Sequence, residues 1–286
     1  MPELVTLDDG LTVVAAAADV NAADPAASGA RRPKPPVLFV HGMMAGAWIF
    51  ERYQRFFSAR GYASWAVNLR GHYGSRAVPD FGRVSFFAYV DDAIAAAGAL
   101  ADAYGVERPV VVGHSMGGLI AQKLAERGAV DAAVLLCSAP PRGISVTSLT
   151  LARYQLRYLW PILRGRPIAG SRGGMDALNF QHVPPEERDA LYARFVPESG
   201  RVGRELSLGA VAVDPERVRC PVLVCGATDD RLVPVRVARR IAKLYGDRAT
   251  YVEFAHHAHL VLLEPNWEGP AADIVRWLDD AVGASG

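Results

Sequence analysis

The chain is short of the features that mark several broad classes of protein. No stretch approaches the roughly twenty consecutive apolar residues that span a bilayer, and the opening Met1-Pro2-Glu3-Leu4 has neither the cationic start nor the apolar run of a secretory signal. A cytosolic protein with no stable membrane insertion is expected. Neither sign of charge is in excess: 31 Lys and Arg oppose 30 Asp and Glu, giving +1. That balance implies no broad field for nucleic acid, although a local patch can hide within it. Cysteine is scarce and odd in number, and Cys137, Cys220 and Cys225 fit neither a zinc nor a redox spacing; they are predicted to be small buried hydrophobes in or beside core strands. The tract His256-His257-Ala258-His259 has no cysteine or carboxylate at metal-ligand spacing, so no metal is expected there. No internal repeat and no second catalytic domain are visible.

What is present is an ample apolar fraction, 51% of 286 residues, arranged in a rhythm. Continuous apolar runs at 37–40, 62–67, 109–112, 133–137, 221–225 and 250–254 read as strands buried on both faces. Helical stretches are expected near 47–60, 86–104, 116–127, 235–245 and 267–282, and Thr12 to Ala17, after the Asp8-Asp9-Gly10 turn, reads as part of an opening hairpin. Alternation of this kind demands right-handed crossovers and a mostly parallel sheet.

Gly113-His114-Ser115-Met116-Gly117 follows the run Val110 to Val112 and opens a helix-like stretch. In a G-x-S-x-G turn the chain reverses so sharply that the serine is strained and its flanks are left to glycine, which lifts the hydroxyl out of the sheet. A hydroxyl is a poor nucleophile at neutral pH until an imidazole takes its proton, so a carboxylate and a histidine are required downstream. The acid is sought in Ala227-Thr228-Asp229-Asp230-Arg231-Leu232-Val233-Pro234. Asp230 is favoured by its spacing to Val233-Pro234, where the next helix begins, and Asp229 is the alternative. For the base, His259 stands five residues before Glu264-Pro265 and precedes an apolar run, whereas His256 and His257 read as loop or supporting residues. Two backbone N–H groups must also hold the developing oxyanion. Met116, next to the serine, supplies one, and Met43 in His41-Gly42-Met43-Met44, after the strand 37–40, supplies the other.

These residues, with Asn68-Leu69-Arg70-Gly71-His72-Tyr73-Gly74-Ser75, occur in the order of the α/β-hydrolase superfamily, and the chain resembles its serine esterase, lipase and lysophospholipase-like group with an HG-x oxyanion loop. Relatives often carry Asp where Asn68 stands and Gly where Tyr73 stands, which touches packing after the fourth strand. The resemblance implies a mostly parallel eight-stranded sheet flanked by helices, no cofactor, and a small-molecule ester substrate; the sequence leaves the choice of monomer or homodimer open. It also implies a core of residues 1–140 and 215–286, with a helical cap or lid inserted at 141–214. That segment is too long for an ordinary connection. It is helical and apolar to aromatic in content (Leu151, Tyr154, Leu156, Tyr158, Leu159, Trp160, Leu163, Phe180, Leu191, Tyr192, Phe195), is broken by prolines and glycines, and has a Gly-rich stretch at 165–174 that reads as a mobile joint. Some of its aromatics should roof Ser115 and make the pocket apolar.

Its arginines, Arg142, Arg153, Arg157, Arg164, Arg166 and Arg172, read first as solvated charge, with attraction to an acidic acyl chain, a phosphate-bearing lipid or a membrane surface as the sharper alternative. Arg31 to Pro36 reads as an exposed loop. The expected activity is hydrolysis of a carboxylic ester through an acyl-enzyme on Ser115. The same scaffold also serves C–C bond, thioester or amide hydrolysis, perhydrolysis or biosynthetic cyclisation, and some relatives are non-catalytic small-molecule receptors.

Overall fold

The computed structural model describes residues 2–19, 34–146, 153–154 and 156–283. The expected loop at Arg31, Arg32 and Pro33, and Leu151 of the insertion, lie outside them. Eight strands form one sheet: β1 (Glu3–Thr6), β2 (Thr12–Ala16), β3 (Val37–Val40), β4 (Ser64–Asn68), β5 (Val110–His114), β6 (Ala132–Leu136), β7 (Val222–Ala227) and β8 (Ala249–Phe254), in the spatial order β1-β2-β4-β3-β5-β6-β7-β8. The β1–β2 and β2–β4 pairs are antiparallel and the remaining five are parallel.

The central strands are apolar without alternation because both sheet faces are covered. Leu38, Val40, Val111, Leu135 and Val224 face a layer built from α2 (Phe86–Tyr104), α3 (Met116–Glu126) and α8 (Val235–Tyr245). Their sequence neighbours Val37, Phe39, Val110, Val112 and Cys225 face the opposite way, onto α1 (Glu51–Ser58) and α9 (Glu268–Gly283). Strand period two therefore sends alternate residues into two separate cores. α2 starts where the Ser85 hydroxyl accepts from the Ala88 N–H and stops at Gly105, whose φ of 62° lets the chain leave the helix.

Strands and helices fall close to the expected spans, with one systematic difference. β5 and β7 each run two residues beyond the apolar runs, pairing His114 with Leu136 and Ala227 with Phe254. The ladder continues to the sheet rim even where the side chains turn polar. Between β6 and β7 the insertion forms four short helices among the described residues: α4 (Leu159–Leu163), α5 (Arg172–Leu178), α6 (Arg188–Tyr192) and α7 (Gly200–Ser207). The Gly-rich stretch is more than a joint: Ile168 exchanges backbone hydrogen bonds with Glu198, and α5 begins at Arg172 under a Ser171 cap. No described helix is long and apolar enough to cross a membrane.

Candidate active site

Every proposed side chain emerges at the carboxyl end of the parallel strands, where ligands of open α/β sheets bind. Ser115 sits between β5 and α3 at φ 55° and ψ −117°, a conformation whose cost is of order 1–3 kcal/mol. Its surroundings leave no room to relax. A Cβ on Gly113 would lie 2.0 Å from the Gly117 carbonyl oxygen, and one on Gly117 would lie 2.0 Å from the Val40 carbonyl oxygen. The glycines are thus required by the close approach of elbow, helix and neighbouring strand.

Three loops converge on that serine. His259 Nε2 is 2.9 Å from Ser115 Oγ, and His259 Nδ1 is 2.8 Å from Asp230 Oδ2. Since a carboxylate only accepts, Nδ1 carries the proton, and the lone pair on Nε2 faces the hydroxyl. The other carboxylate oxygen of Asp230 accepts from the N–H groups of Leu232 (2.8 Å) and Val233 (2.7 Å), which fixes its orientation. Asp229 points elsewhere: its carboxylate lies 2.8 Å from His182 Nε2 on the surface. His256 is exposed, and His257 turns to Glu264. Burial first, and then the neighbouring Asp230 charge, push the Cys137 thiol well up, so it stays a neutral neighbour of the acid. Cys225 is buried too, whereas Cys220 is only partly covered.

A layer of supporting groups was not legible in the sequence. His41 is fully buried, its Nε2 accepts from the Leu69 N–H (3.2 Å), and its Nδ1 therefore donates to the Gly42 carbonyl (2.8 Å). Burial, and then the His72 charge, push its pKa down to about 3, so it braces the loop as a neutral ring. His114 is likewise pushed down to about 3 by burial, and its Nε2 donates to the carbonyl of His259 (2.8 Å). Glu264, also buried, accepts from the Ala258 N–H at 2.8 Å and so pins the same loop.

The insertion contributes Glu198, which is fully buried. Its carboxylate accepts from Tyr89 Oη (2.5 Å), from the Ser199 N–H (2.7 Å) and from the Met44 N–H (3.1 Å), and it lies 3.3 Å from His72 Nε2. The Met44 carbonyl in turn accepts from the Val196 N–H at 2.9 Å. Met44, at φ 64°, is thereby clamped on both backbone groups by the insertion, directly beside Met43. No pattern in the sequence around Pro197-Glu198-Ser199-Gly200 marks Glu198 as a buried anchor; locally only Ser199 has a helix role, capping α7.

Met116 is the first residue of α3, and first-turn N–H groups have no partner within a helix. It and Met43 line a cavity of about 560 Å³ together with Ser115 and His259, roofed by Tyr154, Tyr158, Ile162, Met175 and Phe195. Among the described residues no group of three His, Cys, Asp or Glu is placed to hold a metal. The two departures, Asn68 at the end of β4 and Tyr73 in the loop after it, are accommodated locally. Asn68 accepts from the Ala47 N–H and donates to Thr12 Oγ1, a donation that aspartate could not make. Tyr73 takes φ 46°, and its ring fills the space where a Cβ on Gly46 would stand.

Comparison with known proteins places the fold. The chain is similar to the monoacylglycerol lipase of Paleococcus ferrophilus (22% identity, 87% of this chain and 96% of that one, TM-score 0.65). It is also similar to a thermophilic esterase from Thermogutta terrifontis (18%, 98% and 99%, TM-score 0.70) and to a lipase-esterase related protein from Clostridium acetobutylicum (17%, 93% and 99%, TM-score 0.69). At these identities the likeness is one of fold. The model of the alpha/beta hydrolase family matches residues 37–272, most of the chain, and with the eight-stranded sheet it makes this protein a member of the α/β-hydrolase superfamily.

Proposed function

We propose that the protein is a serine hydrolase that cleaves carboxylic esters with an apolar acyl or aromatic part through an acyl-enzyme on Ser115. The observation that carries this reading is the relay from Ser115 Oγ to His259 and on to Asp230, at 2.9 and 2.8 Å, on the floor of the cavity. His259 takes the hydroxyl proton as Ser115 Oγ attacks the ester carbon, and Asp230 keeps the ring in its reactive tautomer and stabilises the imidazolium. The N–H groups of Met43 and Met116 hold the oxyanion. Collapse breaks the carbon–oxygen bond, His259 passes its proton to the departing alcohol, and a water activated by His259 releases the acid and restores Ser115. Neither redox change nor metal enters this balance.

Residues 141–214 act as a cap over a core of 1–140 and 215–286, and their apolar roof favours an apolar ester. The test is Ser115→Ala, assayed with a soluble p-nitrophenyl ester and a fluorophosphonate probe. Turnover and labelling should both vanish with the circular dichroism spectrum unchanged. Labelling or turnover retained at the level of the unsubstituted protein would overturn the reading.

A further inference from the structure

Four of the nine large hydrophobic side chains most exposed among the described residues fall within eight positions of the insertion: Leu156 (72%), Leu159 (52%), Trp160 (66%) and Leu163 (63%). They occupy a 3-10 turn, Leu156–Tyr158, and α4, at spacings of i, i+3, i+4 and i+7. That spacing builds an apolar stripe which ordinarily faces a core. Here it faces solvent. It is not a displaced core face, because the inward side of the same stretch is already supplied by Tyr154, Tyr158 and Ile162 on the cavity.

The stretch of chain that carries the stripe has charge of one sign. Residues 141–175 carry six arginines and no aspartate, glutamate or lysine. Arg172 pairs with Asp176 and Asp189, but Arg157 and Arg164 make no ion pair with a described carboxylate. Instead their guanidinium groups lie 5.7 Å from the Tyr158 ring centroid and 5.0 Å from that of Trp160. Both are exposed, with their stems free to run along apolar surface while the heads reach outward.

We propose that this face is a docking surface for an anionic lipid bilayer. Trp160 and the three leucines enter the boundary between headgroups and acyl chains, while Arg157 and Arg164 engage lipid phosphates. Two weak signals combined in this way hold a protein at a membrane reversibly, without a spanning helix. A second copy of the chain suits the face less well, because a two-fold contact would set one arginine-rich surface against another. The binding stands independently of Ser115. Its use rests on the function proposed above: α4, a single helix about 10 Å across, is the wall between the bilayer and the cavity, so a lipid-borne ester has a short path inward.

Sedimentation of the full chain with phosphatidylcholine vesicles, with and without phosphatidylglycerol, tests the docking directly and needs no turnover. The protein should pellet with the anionic vesicles and be released by high salt. Replacing both arginines (Arg157→Gln with Arg164→Gln) should weaken binding about 25-fold, roughly fivefold per charge. Replacing Trp160→Ala with Leu163→Ala should weaken it by about tenfold or more. Neither pair lines the cavity, so both should keep the parent rate on a soluble short-chain ester. Absence of vesicle binding overturns the proposal, and so does equal, salt-insensitive binding to neutral and anionic vesicles. A dimer in solution that Trp160→Ala with Leu163→Ala dissociates would assign the stripe to a second copy and overturn it as well.

Discussion

The floor and the roof of the cavity are built by different rules. On the floor, Ser115, Asp230 and His259 follow strands of a fully covered sheet, and none is more than 9% exposed. In the roof, short helices leave Leu156, Trp160 and Leu163 more than 60% exposed, in a stretch, 141–175, that holds six arginines and no acidic residue. Positions that must hold a reacting geometry are placed where packing is dense and the ladder continuous. Surfaces that meet variable partners sit where few buried contacts restrain them. The two regions join at one point of high consequence, the clamp of Glu198 and Val196 on Met44.

The largest contrast lies within the floor itself. Asp230→Asn should lower kcat by about 10⁴, since the neutral amide no longer enforces the tautomer of His259. Asp229→Asn, measured alongside, should change it less than about threefold; equal losses would erase the distinction between adjacent carboxylates.

Floor and roof separate next in stability. Leu124→Ala, in the buried face of α3, should cost about 2–5 kcal/mol in denaturant unfolding, whereas Leu163→Ala should stay within about 0.5 kcal/mol. A large loss at Leu163 would mean that its stripe is packed rather than free.

The junction should respond in both respects. Glu198→Gln is expected to remove about 2 kcal/mol and to lower kcat about tenfold with little change in KM, because under the proposed function the clamp acts on the loop assigned to the oxyanion and not on ground-state binding. A variant that lost stability alone would reduce Glu198 to a packing role.

The smallest effect is the pH dependence of the same pair, on the order of 1 kcal/mol. Burial by itself lowers the His72 pKa, but the Glu198 charge and hydrogen bonds outweigh it, and the net shift is upward. Its contribution is therefore full below the ordinary 6.5 and lost as pH rises through the raised value. For Glu198 burial raises the pKa, while the His72 charge, the Tyr89 hydroxyl and the Ser199 N–H bring it below the ordinary 4.5. That contribution is present above 4.5 and lost as pH falls through the lowered value. The stability gap between wild type and Glu198→Gln should thus be widest between about 4.5 and 6.5 and narrow above. A gap unchanged with pH would show that His72 does not carry the charge.

The core was legible because its central strands and flanking helices announce themselves locally, whereas β1 and the short helices of the insertion have no bounds readable from sequence. The runs Val37 to Val40 and Val110 to Val112 can only be strands covered on both faces, and the order of elbow, acid loop and histidine loop survives as plain sequence. The supporting layer was not legible. His41, His72 and Glu198 are polar residues whose burial depends on what folds over them from about 30 to 150 positions away.

What the sequence by itself determined is the alternation of apolar runs and the glycines at 113 and 117, because periodicity and steric room are properties of neighbours along the chain. The tertiary structure alone decided that Asp230 rather than Asp229 faces His259, that Glu198 reaches the Met44 N–H, and that the stripe from Leu156 to Leu163 looks outward. Each of these is a matter of direction and distance between segments remote in sequence, fixed only when the sheet, the loops and the insertion close on one another.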